Sequence, residues 1–473
     1  MSNHIDNNQL EFPELSIADS VGNVFFWDNR VFRAIRHEAV EKITALFSSG
    51  LIDELVANNL FPKSWFTNHT IDGFGLVIEH TKFSIITYPY EWTFSMLKDS
   101  AITILKTNII ANRYGYQIKD GHGYNIIFNG LDPTFIDLGS FVKTIPNEFN
   151  NWQGHKEFLK CYCYPLRMWS LGNEYVARHI LSSQSEIPHH EYFLYKYCFF
   201  RLLSPVFLEK ITEFYFKIRQ ISLIPSERIK NKVPGFLGDI ICYLKNKHVL
   251  PLQSVDLQSL IIKIQAIKKK KHKTTWSGYH DEHYTKDGKM KSTPRFDRII
   301  NIIRTYEIKS IVDLAGNQGI FSRLLIERTG IDDVICSDSD EGAVDLMYCS
   351  CKSANIKIFP VLLNFMSPTL VSGCEPPSKR FKRDGVTALA VTHHLLLTQG
   401  IQIDCILRRI ASYTNKYAFI EFMPLGLYDG NIIPSIPSWY TLDWFRDSFR
   451  KYFSIIIEEK LEKNRILFFG KLI

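Results

Sequence analysis

The sequence predicts an α/β protein in which a parallel, Rossmann-like sheet fills the carboxyl-terminal part and an α+β unit with a helical portion fills the amino-terminal part. Residues 308–348, IKSIVDLAGNQGIFSRLLIERTGIDDVICSDSDEGAVDLMY, alternate strand, glycine turn, helix, strand, acidic turn and helix, the order of a parallel sheet covered by helices. The length, 473 residues, exceeds the ~250–300 residues over which one core keeps growing. Composition breaks at residues 268–287, KKKKHKTTWSGYHDEHYTKD, between two apolar regions. The expected units are residues 1–250, a basic linker with an aromatic segment over 251–290, and residues 291–473.

Composition removes several function classes. A hydrophobic share of 45% with 22% charged residues is that of an ordinary globular protein. No uncharged apolar run reaches the ~18 residues of a membrane span. The start, MSNHIDNNQLEFPELS, is polar and acidic, unlike a secretory signal or transit peptide, so a cytoplasmic location is the default expectation. The nine cysteines include two C-x-C pairs but no C-x-x-C pairs spaced for zinc; reduced thiols are expected and no metal site. A formal charge of +7 is modest at this length, so nucleic acid is not an expected partner.

Within residues 308–348, Ile308, Ile311, Val312 and Leu314 make an apolar strand. Residues 315–319 follow with the small side chains of a tight turn, where Gly316 and Gly319 let backbone approach a ligand. Ile320, Leu324 and Leu325 begin an apolar helical face that ends near Gly330. Residues 334–336 form a second strand, with Asp338 and Asp340 where it meets the next helix. A glycine turn before a helix, with an acid about 20 residues on, is the chemistry of nucleotide recognition: backbone N–H groups face the ligand and the carboxylate accepts from ribose hydroxyls. The glycines do not follow G-x-G-x-x-G, so a dinucleotide is not the expected ligand.

The stretch resembles the first two motifs of class I S-adenosylmethionine-dependent methyltransferases. That resemblance implies a seven-stranded sheet, a turn beginning at Asp313 that wraps the amino-acid end of the cofactor through Ala315, Gly316, Asn317 and Gly319, and a ribose contact at Asp338. The family's glycines two and four positions after the acid are Ala315 and Asn317 here; the sixth, Gly319, is kept. It also implies an adenine contact at Asn364, the end of the third strand, where a turn-forming Asn is an equal alternative. Such enzymes carry a segment that folds over the cofactor just before the core, and Trp276 and Tyr279 are the candidates for it. The lysine run 268–271 reads as a solvated linker, and Lys379, Arg380, Lys382 and Arg383 as a solvated face.

The fourth strand, VTALAV, ends by delivering His393 and His394 to the carboxyl edge, where a methyl acceptor lies in that family. Either imidazole could take a proton near neutral pH; the alternative is one helix cap and one packed ring. Glu421 ends the fifth strand as a candidate to orient substrate or histidine. The closing helix, strand, turn and strand fit the antiparallel last strands of the methyltransferase sheet.

In the amino-terminal half, residues 20–90 suggest a partly antiparallel sheet. A long amphipathic helix from Tyr90 then puts Phe94, Leu97, Ala101, Leu105 and Ile109 on one stripe. The segment IKDGHGYNIIFNGLDPTFIDLGSF carries Asp120, Asn125 and Asp137-Leu138-Gly139. Protein kinases need an Asp to orient the accepting hydroxyl, an Asn on a metal ion, and a D-F-G aspartate on magnesium. The spacing resembles the protein-kinase-like fold, especially its aminoglycoside phosphotransferase branch; a hairpin with turn-forming Asp and Asn is the plainer reading. Mg-ATP is implied only through that resemblance. No G-x-G-x-x-G loop or V-A-I-K lysine precedes it, and Gly22, Lys82 and Glu91 are the nearest substitutes. Residues 150–250 read as buried aromatic helices in which His155, His189 and His190 are core or cap residues.

Taken in order from about Tyr88 to the end, YPYEWTFSMLKDSA, IKDGHGYN, FIDLGSF, VDLAGNQGIFS, SDSDEGAV, AVTHHL and IEFMP resemble the bacterial methyltransferases related to host-specific nodulation proteins. The resemblance implies methyl transfer from S-adenosylmethionine to a small-molecule or peptide acceptor bound or presented by the amino-terminal unit. A bifunctional kinase-methyltransferase and a binding protein with decayed nucleotide sites are the alternatives.

Overall fold

The computed structural model describes residues 3–6, 8, 10, 12–13, 19–144, 152–182, 186–196, 207, 210–211, 213–214, 256–269, 292–428 and 434–473. Trp276 and Tyr279 lie outside the described residues.

After a two-residue strand at Asn3–His4 that pairs parallel to His69–Thr70, the amino-terminal unit forms a hairpin of β1 (Gly22–Trp27) and β2 (Arg30–Ile35). Asp28 and Asn29 turn it with φ of 47° and 60°, the left-handed pair that matches the twist of two-residue hairpins. After α1 (Val40–Ser48) and α2 (Leu51–Ala57), β3 (Ser64–Phe66) and β4 (Leu76–His80) complete an antiparallel sheet in the order β1-β2-β4-β3. The long helix α3 (Phe94–Arg113) starts four residues later than its pattern suggests. Pro89 opens a separate single turn over Pro89–Glu91, and Thr93 then caps α3 by accepting from Met96 N–H. Next come β5 (Tyr116–Ile118), the hairpin β6 (Ile126–Asn129) and β7 (Asp132–Phe135), and β8 (Phe141–Lys143), paired antiparallel to β5.

Helical turns run through His155–Phe158, Leu159–Cys163 and Tyr164–Ser170, and α4 (Glu174–Ser182) and α5 (His189–Lys196) follow. His155 is buried, and His189 Nδ1 lies 2.7 Å from the Tyr164 hydroxyl. Part of the expected linker is core: α6 (Leu257–Gln265) buries Leu257, Ile261 and Ile264 in the same apolar cluster as α3. The lysine run hid this helix because its apolar stripe is short and ends where the charges begin.

The carboxyl-terminal unit starts with α7 (Pro294–Thr305), capped by Thr293, and β9 (Ser310–Leu314). Then follow α8 (Ile320–Thr329), ended by Gly330 at φ 71°, β10 (Asp333–Asp338), α9 (Glu341–Ala354) and β11 (Phe359–Leu362). The short α10 (Pro377–Arg380), β12 (Arg383–Ala388), α11 (Ile403–Ala411), β13 (Thr414–Phe422), α12 (Leu442–Arg450), β14 (Phe453–Glu462) and β15 (Arg465–Leu472) complete it. The sheet has seven strands in the order β11-β10-β9-β12-β13-β15-β14; the first five are parallel, while β15 is antiparallel to both its neighbours. This is the Rossmann-like sheet with antiparallel last strands that the sequence predicts. The order reverses between β9 and β12, so ligands are expected outside their carboxyl ends.

The two units interlock. Tyr348 of α9 belongs to the apolar cluster of the amino-terminal unit, and Ile85 to that of the carboxyl-terminal unit. The Tyr348 hydroxyl donates to Asp99 at 2.7 Å. Phe94 N–H donates to Glu341 at 3.0 Å and Ser95 N–H to Asp345 at 2.9 Å, so acids of α9 satisfy the open N-terminus of α3. The expected solvated face is only half correct. Arg380 is buried against Glu91 and Arg383 against Asp333, whereas Lys379 and Lys382 are exposed. Lys269, from the run read as a solvated linker, bonds Glu341. A charge run cannot reveal carboxylates brought to it from distant segments.

Candidate functional site

The turn after β9 is built on left-handed backbone. Ala315, Asn317 and Gly319 have φ of 57°, 52° and 71°. Ala315 and Asn317 thus adopt the conformation for which the resembled family uses glycine, and the sequence departs from that pattern without changing the path. Gly316 is required for space: a Cβ there would stand 2.5 Å from Cys336 Sγ and 2.6 Å from Asp313 Oδ2. The turn is tied to β10 by Gly316 N–H donating to Ser337 O at 2.9 Å.

The two acids bracket this turn from different sides. Asp313 is 2% exposed and accepts from Thr387 Oγ1 at 2.6 Å and Ser322 Oγ at 2.8 Å. Burial pushes its carboxyl up to about 6, against the pull of those two hydroxyls. It therefore acts as a post beneath the turn rather than as a group open to a ligand, a correction to the expected contact. Asp338 is half-buried; its Oδ2 accepts from Asn317 N–H at 2.9 Å and its Oδ1 from Asp340 N–H at 2.8 Å. Each oxygen keeps lone-pair capacity for a further donor. Burial raises this carboxyl above the usual range, opposed by those N–H groups. Asn364 is exposed, and its Oδ1 accepts from Met366 N–H at 3.1 Å and Ser367 N–H at 3.2 Å, the turn-forming alternative. Only its amide NH2 is left for an adenine contact.

At the end of β12, His393 is buried and His394 half-buried, their ring centroids 4.1 Å apart. Burial, then His394 and Arg465, push His393 down to about 3; burial also lowers His394. Both rings are thus neutral near pH 7, and His393 Nδ1 has no partner among the described residues. Glu421 is fully buried and its Oε2 accepts from Arg465 at 3.0 Å and Arg295 at 3.4 Å. Neither arginine is legible in the sequence as a site residue: they come from the start of β15 and from α7, segments without chemical patterning of their own. Thr392 Oγ1 donates to Glu421 O at 2.8 Å and joins the ends of β12 and β13.

Asp120, Asn125 and Asp137 face one cavity of about 1060 Å³, between the antiparallel sheet and the β6–β7 hairpin and walled in part by Glu375, Lys379 and Arg380 of the other unit. Asn125 Nδ2 lies 3.4 Å from Asp137 Oδ2 and 3.3 Å from Asp120 O. Asp137 Oδ1 accepts from Gly139 N–H at 2.9 Å, with Arg33 Nη1 at 3.7 Å. Burial raises the Asp137 carboxyl, opposed by Arg33. Arg33, missed by the sequence analysis, is the one charge on the otherwise apolar inner stretch of β2 and also bonds Asp19 at 2.6 Å. The nearest substitutes for kinase motifs have other roles. Gly22 packs where a Cβ would meet Ala34 O at 2.2 Å, Lys82 bonds Asn29, and Glu91 bonds Arg380.

These residues do not fit a magnesium ion as they stand. A hard cation takes oxygen ligands, yet Asn125 turns its NH2 toward Asp137, and a guanidinium already stands beside that carboxylate. At the turn after β9, by contrast, Asp338 is held by backbone N–H groups and keeps acceptor capacity, which suits the ribose hydroxyls of S-adenosylmethionine.

No protein-family model matches the sequence. The chain is 27% identical over 438 residues to the nodulation protein NoeA of Rhizobium meliloti (strain 1021), across 86% of this chain and 84% of that protein. In structure it is similar over 42% of its length to the whole PH0226 protein of Pyrococcus horikoshii OT3, at 15% identity and TM-score 0.34. It is similar over 41% of its length to 97% of an S-adenosylmethionine-dependent methyltransferase from Clostridium acetobutylicum ATCC 824, at 9% identity and TM-score 0.31.

Proposed function

We propose that this protein is an S-adenosylmethionine-dependent methyltransferase whose amino-terminal unit binds or presents a small-molecule or peptide acceptor. The observation that carries the reading is the Asp338 carboxylate, held by Asn317 and Asp340 N–H groups at the edge of a turn with three left-handed residues. Likeness to a nodulation protein over most of the chain agrees with the order of the motifs.

When bound, the cofactor supplies an electrophilic methyl group on a sulfonium. Asp338 would accept from its ribose, and the backbone of residues 315–319 would meet its amino-acid end. Burial leaves His393 with too low a proton affinity to serve as a strong base, so orienting the acceptor rather than taking its proton is the role left to the His393–His394 pair. Glu421, locked to Arg465 and Arg295, holds the ends of β13 and β15 together beside it.

Calorimetry with S-adenosylmethionine tests the reading. Asp338→Ala should weaken binding at least about tenfold, since charge-assisted hydrogen bonds contribute on the order of 1.5–3 kcal/mol each; unchanged affinity would remove Asp338 from the site. Incubation with labelled cofactor, followed by a search of metabolites and peptides for one added methyl unit, identifies the acceptor. Phosphorylation with Mg-ATP as well is the weaker reading: Asp120, Asn125 and Asp137 converge on one cavity, but Asn125 and Arg33 stand where a metal ion at Asp137 would have to lie. Binding of both cofactors supports it, and binding of neither supports a non-catalytic protein.

A further inference from the structure

Helix α9 carries two stripes at helical spacing, and both are occupied. Val344, Met347 and Cys351 are fully buried in one apolar cluster with Cys336, Ile358 and Leu362. Within that stripe Met347 lies flush against the turn after β9: a Cβ on Gly319 would collide with Met347 Sδ and stand 3.4 Å from Ile358 Cδ1. At the N-cap of the same helix, Asp340 N–H donates to Asp338 Oδ1 at 2.8 Å. One helix therefore sets both the turn and the acid proposed to meet the cofactor.

The second stripe, Glu341, Asp345, Tyr348 and Lys352, is mostly charged, the composition of a helix face turned to water. Each of its members instead bonds α3. Glu341 accepts from Phe94 N–H, Asp345 from Ser95 N–H and Ser95 Oγ, and Lys352 Nζ lies 2.7 Å from Asp99 Oδ2. Tyr348, 1% exposed, sets its ring edge-on to Phe128 of β6 at 6.1 Å. Its hydroxyl lies 2.7 Å from Asp99 Oδ2 and 3.2 Å from Leu131 O at the tip of the β6–β7 hairpin, and the Leu131 side chain packs against the Met347 cluster. Tyr348 follows Met347 directly, so a shift of the anchored tyrosine moves the residue beneath Gly319.

We propose that Tyr348 is a positioning residue for the cofactor: by anchoring it to Asp99 and Phe128, the amino-terminal unit fixes α9 and so holds the Gly319 turn and the Asp338 carboxylate in the spacing the cofactor needs. The amino-terminal unit is then part of the cofactor site as well as the place proposed for the acceptor. This rests on the methyl-transfer reading. Close-packed side chains shift together, and changes along such a chain of contacts alter the affinity of a site they do not touch.

The test is calorimetry of the full chain with S-adenosylmethionine, at a temperature below the melting of every variant. Tyr348→Leu removes ring and hydroxyl and should weaken binding about fivefold or more. Asp99→Ala, at a half-buried position, leaves the core filled and should weaken binding about threefold. Leu46→Ala is the control, since Leu46 is fully buried on α1 in the same apolar cluster as Tyr348. It should lower the melting temperature while affinity stays within about twofold of wild type. Unchanged affinity in Tyr348→Leu or in Asp99→Ala, or an equal loss in Leu46→Ala, overturns the proposal while wild-type binding keeps the methyl-transfer reading. Absence of binding by the wild type removes that reading and this inference with it.

Discussion

At residue scale, the turn at residues 315–319 shows how a left-handed path can be kept with few glycines. A left-handed L-residue costs roughly 1–2 kcal/mol, whereas glycine costs ~0.5–1 kcal/mol through the freedom of the unfolded chain. Ala315→Gly should therefore stabilise the protein by about 0.5–1 kcal/mol in urea denaturation, and Asn317→Gly should change little, because Asn tolerates this region. Gly316→Ala should do the opposite and abolish cofactor binding, since its Cβ would meet Cys336 and Asp313. Titration gives a second residue-scale prediction. His393 is pushed down to about 3 when folded, against about 6.5 when unfolded. The unfolded chain takes up this proton first, so stability is lost as pH falls from about 6.5 toward 3, by up to about 1.4 kcal/mol per pH unit. His393→Gln should remove that share of the slope. Asp313 works with the opposite sign, its folded carboxyl titrating at about 6. It favours the folded state as pH falls from about 6 to about 3.9, so Asp313→Asn should steepen acid loss in that window. Urea midpoints measured across pH check both signs.

At element scale, α9 and α10 tie the carboxyl-terminal unit to the amino-terminal one. The first turn of α9 follows directly on Asp338, and its Glu341 and Asp345 accept from the N-terminus of α3. On α10, Arg380 makes a two-pronged pair with Glu91 in which both side chains are 3% exposed or less. Removing one partner of such a pair strands the other charge, so Glu91→Gln should destabilise the chain by about 3–5 kcal/mol, and Glu91→Gln with Arg380→Met should recover much of it. Guanidinium midpoints of the two variants check this; equal midpoints for wild type and Glu91→Gln would mean the pair contributes nothing net. The pair also explains why Arg380 misled the sequence analysis: its partner is far away in the chain, whereas periodicity reports only on neighbours a turn or a strand-step away.

At the scale of the whole molecule, the units exchange core residues, Tyr348 in one direction and Ile85 in the other. The full chain should unfold in a single calorimetric transition, and residues 292–473 expressed alone should melt lower, with Tyr348 no longer buried against Phe128 and Asp99. Two resolved transitions, with the isolated piece as stable as within the chain, would contradict this coupling. By itself the sequence determined the order of strands and helices, the turn at residues 315–319, the acids at 338 and 137, and the paired histidines, because these depend on short-range periodicity and on the few residue types that tolerate tight turns. The tertiary structure alone decided which acid is enclosed. Asp313 and Asp338 are the same residue type at the ends of neighbouring strands, yet Thr387 and Ser322 enclose one while backbone N–H groups hold the other half-buried. It also decided that Arg33 reaches Asp137 and that Arg380 walls the amino-terminal cavity, since long-range charge partners are chosen by packing and leave no local pattern in the chain.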